Sequence, residues 1–169
     1  MAEVIILNGP PGVGKTAVAA ALRSLVPGTV SISGDELRAF APPDARAHLG
    51  GGATYRAGGV LSAAFLEMGA ARVLFDYVFL RSAHFRYFRE ALSAAPSVHV
   101  FTLWAPLEVI TERNAARSVR PRLGLKLGDT YSEIEQNLPE MGEIIEAFSA
   151  DVEQLARRIH ERVAHGARH

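Results

Sequence analysis

The sequence predicts an α/β fold: a three-layer sandwich in which a five-stranded parallel sheet lies between helices. Two observations carry that prediction. The short apolar run Val4–Leu7 feeds directly into a glycine-rich octapeptide and then into helical spacing from Ala17. Beyond it, strand-like apolar runs alternate with helix-period segments to the end of the chain, a pattern that implies parallel strands covered on both faces. No internal repeat, low-complexity tract or Pro/Ser-rich linker interrupts the pattern, so residues 1–169 are expected to form one domain.

Taken in order, the first helix spans 17–26 and ends at Pro27-Gly28. Thr29–Ser33 alternates, is β-branched and gives a second strand. Asp35 follows just beyond its end. Ala41-Pro42-Pro43-Asp44 breaks the pattern, residues 45–52 have no clear assignment, and Gly50-Gly51-Gly52 is a loop or a hinge. Residues 54–68 are helical, with Gly58-Gly59 arguing against. A third strand covers Arg72–Phe79, and a helix capped by Ser82 covers 82–94. Residues 98–104 form a fourth strand, and 106–117 a helix with Pro106 at its first position. The aperiodic stretch 118–129 reads as a short mobile lid. Residues 130–138 are helical, 143–148 favour a fifth strand, and Ser149 caps a last helix over 150–163 before a frayed tail.

Composition narrows the function. Eighteen basic and eighteen acidic side chains cancel, so net charge gives no pull towards nucleic acid or anionic membrane. The absence of cysteine excludes disulfides, thiolate catalysis and Cys-bound zinc. No apolar run approaches the roughly 18 residues of a membrane span, and no signal-type segment precedes the first strand. A cytoplasmic protein of undetermined oligomeric state is the expectation. The six histidines show no metal spacing and read as structural.

The octapeptide Gly9-Pro10-Pro11-Gly12-Val13-Gly14-Lys15-Thr16 fits G-x-x-x-x-G-K-[ST] without mismatch. Glycines let the backbone curl so that its N–H groups face phosphate oxygens, and the helix N-terminus adds its positive end. Lys15 would reach the β- and γ-phosphates and Thr16 would ligate Mg²⁺. Ligands of such sheets bind beyond the carboxyl ends of the strands, where Asp35 and Asp76 also fall. Asp35 would orient or deprotonate an acceptor hydroxyl, or else cap the helix starting at Glu36. Asp76, an acid in an apolar strand, needs a cation or donors. It suits support of Mg²⁺ behind Thr16, contact with the acceptor, or pairing with an arginine. Arg38 and Arg81 would hold an anionic group of the acceptor or pair with the neighbouring acids. Arg113 and Arg117 share a helix face and, with Arg120 and Arg122, form a cationic edge suited to a transferring phosphoryl group or to plain solvation. The aromatics Tyr77, Phe79, Phe85, Tyr87 and Phe88 are core residues or the wall of an apolar acceptor site.

GPPGVGKT at 9–16, SGDELR at 33–38, VLFD at 73–76 and LWAPLEVITERNAAR at 103–117 together resemble the P-loop kinases of small molecules, in the nucleoside-kinase-like branch of P-loop NTPases. The resemblance covers most of the chain and includes shikimate, gluconate and chloramphenicol-type antibiotic kinases. It implies ATP and Mg²⁺ as cofactors, a hydroxylated small-molecule acceptor, Arg113 near the adenine and Arg117 near the phosphates. Adenylate kinases continue the third strand with Asp-Gly-Phe-Pro-Arg, whereas this chain has Asp76-Tyr77-Val78-Phe79-Leu80-Arg81. That departure tilts the expectation from a nucleoside monophosphate towards another acceptor. A nucleoside monophosphate kinase and a slowly hydrolysing nucleotide switch are the alternatives.

Overall fold

The computed structural model describes residues 2–93, 96–116 and 126–166. Strands β1 (Glu3–Asn8), β2 (Thr29–Ser33), β3 (Arg72–Asp76), β4 (Ser97–Trp104) and β5 (Glu143–Glu146) form a sheet in the order β2-β3-β1-β4-β5. Every pairing in it is parallel. The helices are α1 (Lys15–Leu25), α2 (Gly34–Ala39), α3 (Pro43–Leu49), α4 (Ala53–Glu67), α5 (Ser82–Glu90), α6 (Leu107–Ala115), α7 (Lys126–Asn137) and α8 (Val152–Gly166), with a 3₁₀ turn at Leu138–Glu140.

The period of two along β1 creates two cores. Ile5 and Leu7 join Leu74, Leu103, α1 and α8 on one face. Val4 and Ile6 join Phe75, α4, α5 and Ile134 of α7 on the other. This is the predicted five-stranded three-layer sandwich. Gly58 and Gly59, which argued against a helix, are inside α4 for a packing reason. A Cβ on Gly58 would run into the Phe75 ring, and one on Gly59 into the Phe88 carbonyl.

Several boundaries differ from expectation. β3 stops at Asp76, because the apolar side chains of 77–79 serve the core and the cleft beyond the sheet. α2 starts at Gly34 with Ser33 at its N-cap, so Asp35 lies in its first turn and does not cap it. Residues 43–49 form α3, which buries none of its side chains and so leaves no periodic signature. Arg81, not Ser82, occupies the N-cap of α5, and Pro106 stands one position ahead of its expected place, at the N-cap of α6. α7 begins at Lys126, so 126–129 are helical. The remainder of the expected lid, 118–125, lies outside the described residues. Asp151, not Ser149, caps α8. Its Oδ1 accepts from Gln154 N at 2.8 Å while Asp151 N donates to Gln154 Oε1 at 3.3 Å, a reciprocal capping box.

At the N-terminal edge of the sheet, buried Arg72 pairs with Glu3, with Nε 2.6 Å from Oε1. The C-terminal edge, by contrast, carries the loop 9–14 and the helices α2 to α4.

Candidate active site

Gly9, Gly12 and Gly14 have φ values of 138°, 95° and 112°. Those values suit glycine, and they bend the chain from β1 into α1 within six residues. Gly14 forms the N-cap of α1 with no side-chain cap, leaving the first-turn amides to an anion. Lys15 Nζ donates to Gly9 O at 2.8 Å and Pro10 O at 3.1 Å, which lays its ammonium across the loop. An ammonium, a curled backbone and a helix N-terminus together are the groups that hold a polyphosphate.

Thr16, one residue further on, donates from Oγ1 to Asp76 Oδ2 at 2.9 Å. Asp76 is 5% exposed at the end of β3, which lies beside β1. The buried carboxylate thus has a donor, and the two side chains present hard oxygen atoms of the kind Mg²⁺ prefers. Among the described residues there is no cluster of three or more His, Asp or Glu that would hold a metal by itself.

Register carries Asp35 to the same edge. Ser33 pairs with Asp76, and Asp35 lies two residues beyond, exposed in the first turn of α2. Beside it, a cleft of about 910 Å³ opens between α2, α3 and α4. Arg38 and Tyr77 line it. The Tyr77 ring sits so close over Gly34 that any Cβ there would collide with it. Burial raises the pKa of the Tyr77 hydroxyl, Arg38 pulls it back, and Asp35 adds to the rise. Burial also pushes Tyr55 well above the ordinary tyrosine range. Tyr55 donates its hydroxyl to Val78 O at 2.9 Å and stacks on His84 at 4.3 Å between centroids. His84 Nδ1 accepts from Leu80 N at 3.1 Å. Its pKa is lowered, first by burial and then by Arg81, against an opposing pull from Glu133.

The arginines divide. Arg113 donates from Nη1 to Ala147 O at 3.0 Å and Val13 O at 3.4 Å, on the far side of the loop from the cleft. There it borders a second cavity of about 390 Å³ with Gly12, Gly14 and Asp151. Arg81 does not pair with Asp76; it forms an exposed ion pair with Glu133 of α7. Arg117, Arg120 and Arg122 lie outside the described residues. Of the aromatics, Phe79, Phe85 and Phe88 are core, Tyr77 is cleft wall, and Tyr87 lies under the Arg56 guanidinium at 4.3 Å.

Residues 4–126 match the family model described as an AAA domain. The chain belongs to that family. The match takes in the loop, α2, Asp76 and Arg113, and stops before β5. No curated protein matches the sequence. The fold is shared with a sugar kinase from Janibacter sp. HTCC2649, at 21% identity over 97% of this chain and 95% of that one with a TM-score of 0.75. It is shared also with the tunicamycin resistance protein of Deinococcus radiodurans, at 23% identity over 96% of each chain and a TM-score of 0.71. The shikimate kinase of Acinetobacter baumannii, in complex with shikimate, gives 21% identity, 97% and 93% coverage and a TM-score of 0.64. At these identities the likeness is one of fold. Among the described residues of this family member, no helix is long and apolar enough to cross a membrane.

A polar group that sequence reasoning missed underlies the site. Asn8, fully buried, accepts from Phe79 N through Oδ1 at 2.7 Å and donates from Nδ2 to Thr102 Oγ1 at 3.1 Å. Thr102 Oγ1 donates in turn to Met141 O at 2.6 Å. The network ties β1, immediately before Gly9, to the segment that forms the back of the cleft. Its only sequence signal is an asparagine ending an apolar strand.

Proposed function

We propose that the protein is an ATP- and Mg²⁺-dependent phosphotransferase that moves the γ-phosphoryl group to a hydroxyl of a small molecule. The observation that carries this reading is the Thr16–Asp76 hydrogen bond, set between the phosphate loop and the cleft that opens beside Asp35. Residues 9–16 would cradle the phosphates, with Lys15 over the β- and γ-positions, and Arg113 would border the base. Thr16, with Asp76 behind it, would hold Mg²⁺, which when bound would neutralise charge on the phosphate oxygens. Asp35 would take the proton of the acceptor hydroxyl as its oxygen bonds to the γ-phosphorus and the bond to the β,γ-bridging oxygen breaks, releasing ADP. Arg38, Arg81 or both would engage the acceptor. Arg117, with Arg120 or Arg122, would stabilise charge spreading over the transferred group.

The structural relatives include a sugar kinase and a shikimate kinase, which supports the reaction class. The test is transfer of labelled γ-phosphate from ATP·Mg²⁺ to a panel of nucleoside monophosphates, sugar acids, shikimate and hydroxylated antibiotics, with products identified by mass. Lys15→Ala is expected to lower transfer by at least ~100-fold, the scale of losing one positioned donor at a developing charge, with the fold retained by circular dichroism. Wild-type turnover in that variant would end the assignment.

A further inference from the structure

The cleft beside Asp35 has a more definite chemical character than the reaction class requires. Its volume, about 910 Å³, lies near the top of the roughly 300–1,000 Å³ range of pockets that enclose drug-sized ligands. The larger part of its wall is apolar: Leu37 and Phe40 from the α2 side, Leu49 at the end of α3, Leu61 from α4. Phe40 is 82% and Leu49 58% exposed, an arrangement of large apolar side chains that gains only when something covers them. The hydroxyl groups on its wall are those of Thr54, Tyr55 and Tyr77. Tyr55 is already donating its hydroxyl to Val78 O. Among the described residues, the charged side chains lining the cleft are those of Arg38 and Arg46.

These features select among acceptors. A small polyhydroxy acid could reach Thr54, Tyr77 and the two arginines, but it is too small to fill a cleft of this volume or to cover its apolar side chains. It would leave Phe40 and Leu49 in water. A cationic acceptor would meet two guanidinium groups in the wall itself, where an anionic one finds partners. A broad apolar body with an acidic substituent satisfies both wall and charge, while its hydroxyl approaches Asp35 at the loop end.

Resting on the phosphotransferase reading, we propose that the acceptor is a bulky, predominantly apolar hydroxylated molecule carrying an anionic group, rather than a sugar acid, shikimate or a nucleoside monophosphate. Phe40, Leu49 and Leu61 determine its size class, and Arg38 and Arg46 its charge.

The test uses the full chain and 1-anilinonaphthalene-8-sulfonate as a fluorescent apolar anion, with glycocholate as a hydroxylated apolar anion. Saturable dye binding at one site per chain is expected. It should be weakened about tenfold or more by Leu61→Gln and by the Arg38→Gln/Arg46→Gln double variant, the scale expected for losing a buried apolar contact or a charge pair. Val60→Gln, an exposed position on α4 that does not line the cleft, controls for non-specific adhesion and should bind as wild type. Glycocholate should displace the dye, and shikimate, gluconate and AMP should not. Phosphoryl transfer follows the same order, with label entering the apolar anion in preference to the three polar compounds. Dye binding that is unaltered by the wall variants, or faster labelling of shikimate, gluconate or AMP, overturns the assignment of class. The phosphotransferase reading fails by a different readout: binding of a fluorescent ATP analogue that is insensitive to Lys15→Ala.

Discussion

Replacing Asn8 with Asp changes one NH₂ group into an oxygen at constant shape, and the hydrogen-bond directions around it are fixed. Thr102 has one hydroxyl proton, and Met141 O takes it at 2.6 Å. Thr102 Oγ1 can therefore only accept from residue 8, across 3.1 Å. In Asn8→Asp the bond from Phe79 N survives, but an acceptor now faces the lone pairs of Thr102 and the sulfur of Met141 in a position with no solvent exposure. The least costly escape is to protonate the new carboxyl, which restores a donor towards Thr102. Holding a carboxylic acid of ordinary pKa near 3.9 neutral at pH 7 spans about 3 pH units at about 1.4 kcal/mol each, or roughly 4 kcal/mol. The folded state then binds the extra proton, so the stability of the variant rises as pH falls, and the deficit shrinks to roughly 1.5 kcal/mol at pH 5. Urea denaturation of both proteins at pH 7 and pH 5, followed by circular dichroism, measures both values. The corresponding drop in melting temperature at pH 7 is about 10 °C for a chain of this size. A deficit below about 1 kcal/mol at pH 7, or one that does not change with pH, would refute the assigned bond directions.

Two other predictions address residues that neighbour the cleft. Asp35→Asn is expected to lower phosphoryl transfer by about 10²–10⁴-fold, the scale of general-base loss, with ATP binding little changed. Asp35 does not cap α2, so its stability effect should stay below about 1 kcal/mol, the limit for a charge in an exposed first turn; a large drop in melting temperature with normal turnover would reverse that ordering. For His84, burial and Arg81 lower the pKa while Glu133 opposes, and the unfolded state therefore binds more protons than the folded one below the ordinary value of 6.5. Its contribution is present above pH 6.5 and is lost as pH falls through the folded value. His84→Phe keeps an aromatic ring against Tyr55 but cannot titrate, so the slope of stability against pH between 6.5 and 5 should be shallower than in the wild type; an equal slope would mean that His84 does not titrate differently on folding.

What could be read from the sequence was local. Residues 9–16 are contiguous, so loop, helix start and lysine position follow from spacing alone, and the strand-helix alternation gives the sheet. The Thr16–Asp76 pairing was within reach because an acid in an apolar strand demands a donor. Contacts between distant segments were not legible: Asn8 meets Thr102 and Phe79, Arg81 meets Glu133, and Tyr77 lies on Gly34. α3 was hidden for another reason, since a helix that buries none of its side chains has no apolar period to betray it. The same holds at the start of α8, where the side chain at Asp151, rather than the serine two residues earlier, reaches the free amide of Gln154.

The two adjacent glycines of α4 divide that helix into a fixed side and a free side. Gly58 and Gly59 bring its backbone against the Phe75 ring and the Phe88 carbonyl, so that no atom can be added there without displacing the helix as a rigid rod. Thr54, Ala57 and Leu61 of the same helix border the cleft instead. Sequence drift at these positions would therefore reshape the cleft's lining while Gly58 and Gly59 keep the helix seated on the sheet side. A laboratory search for new acceptors would have its tolerant positions on this one stripe of α4 and on α2 and α3, and its forbidden ones a single residue away.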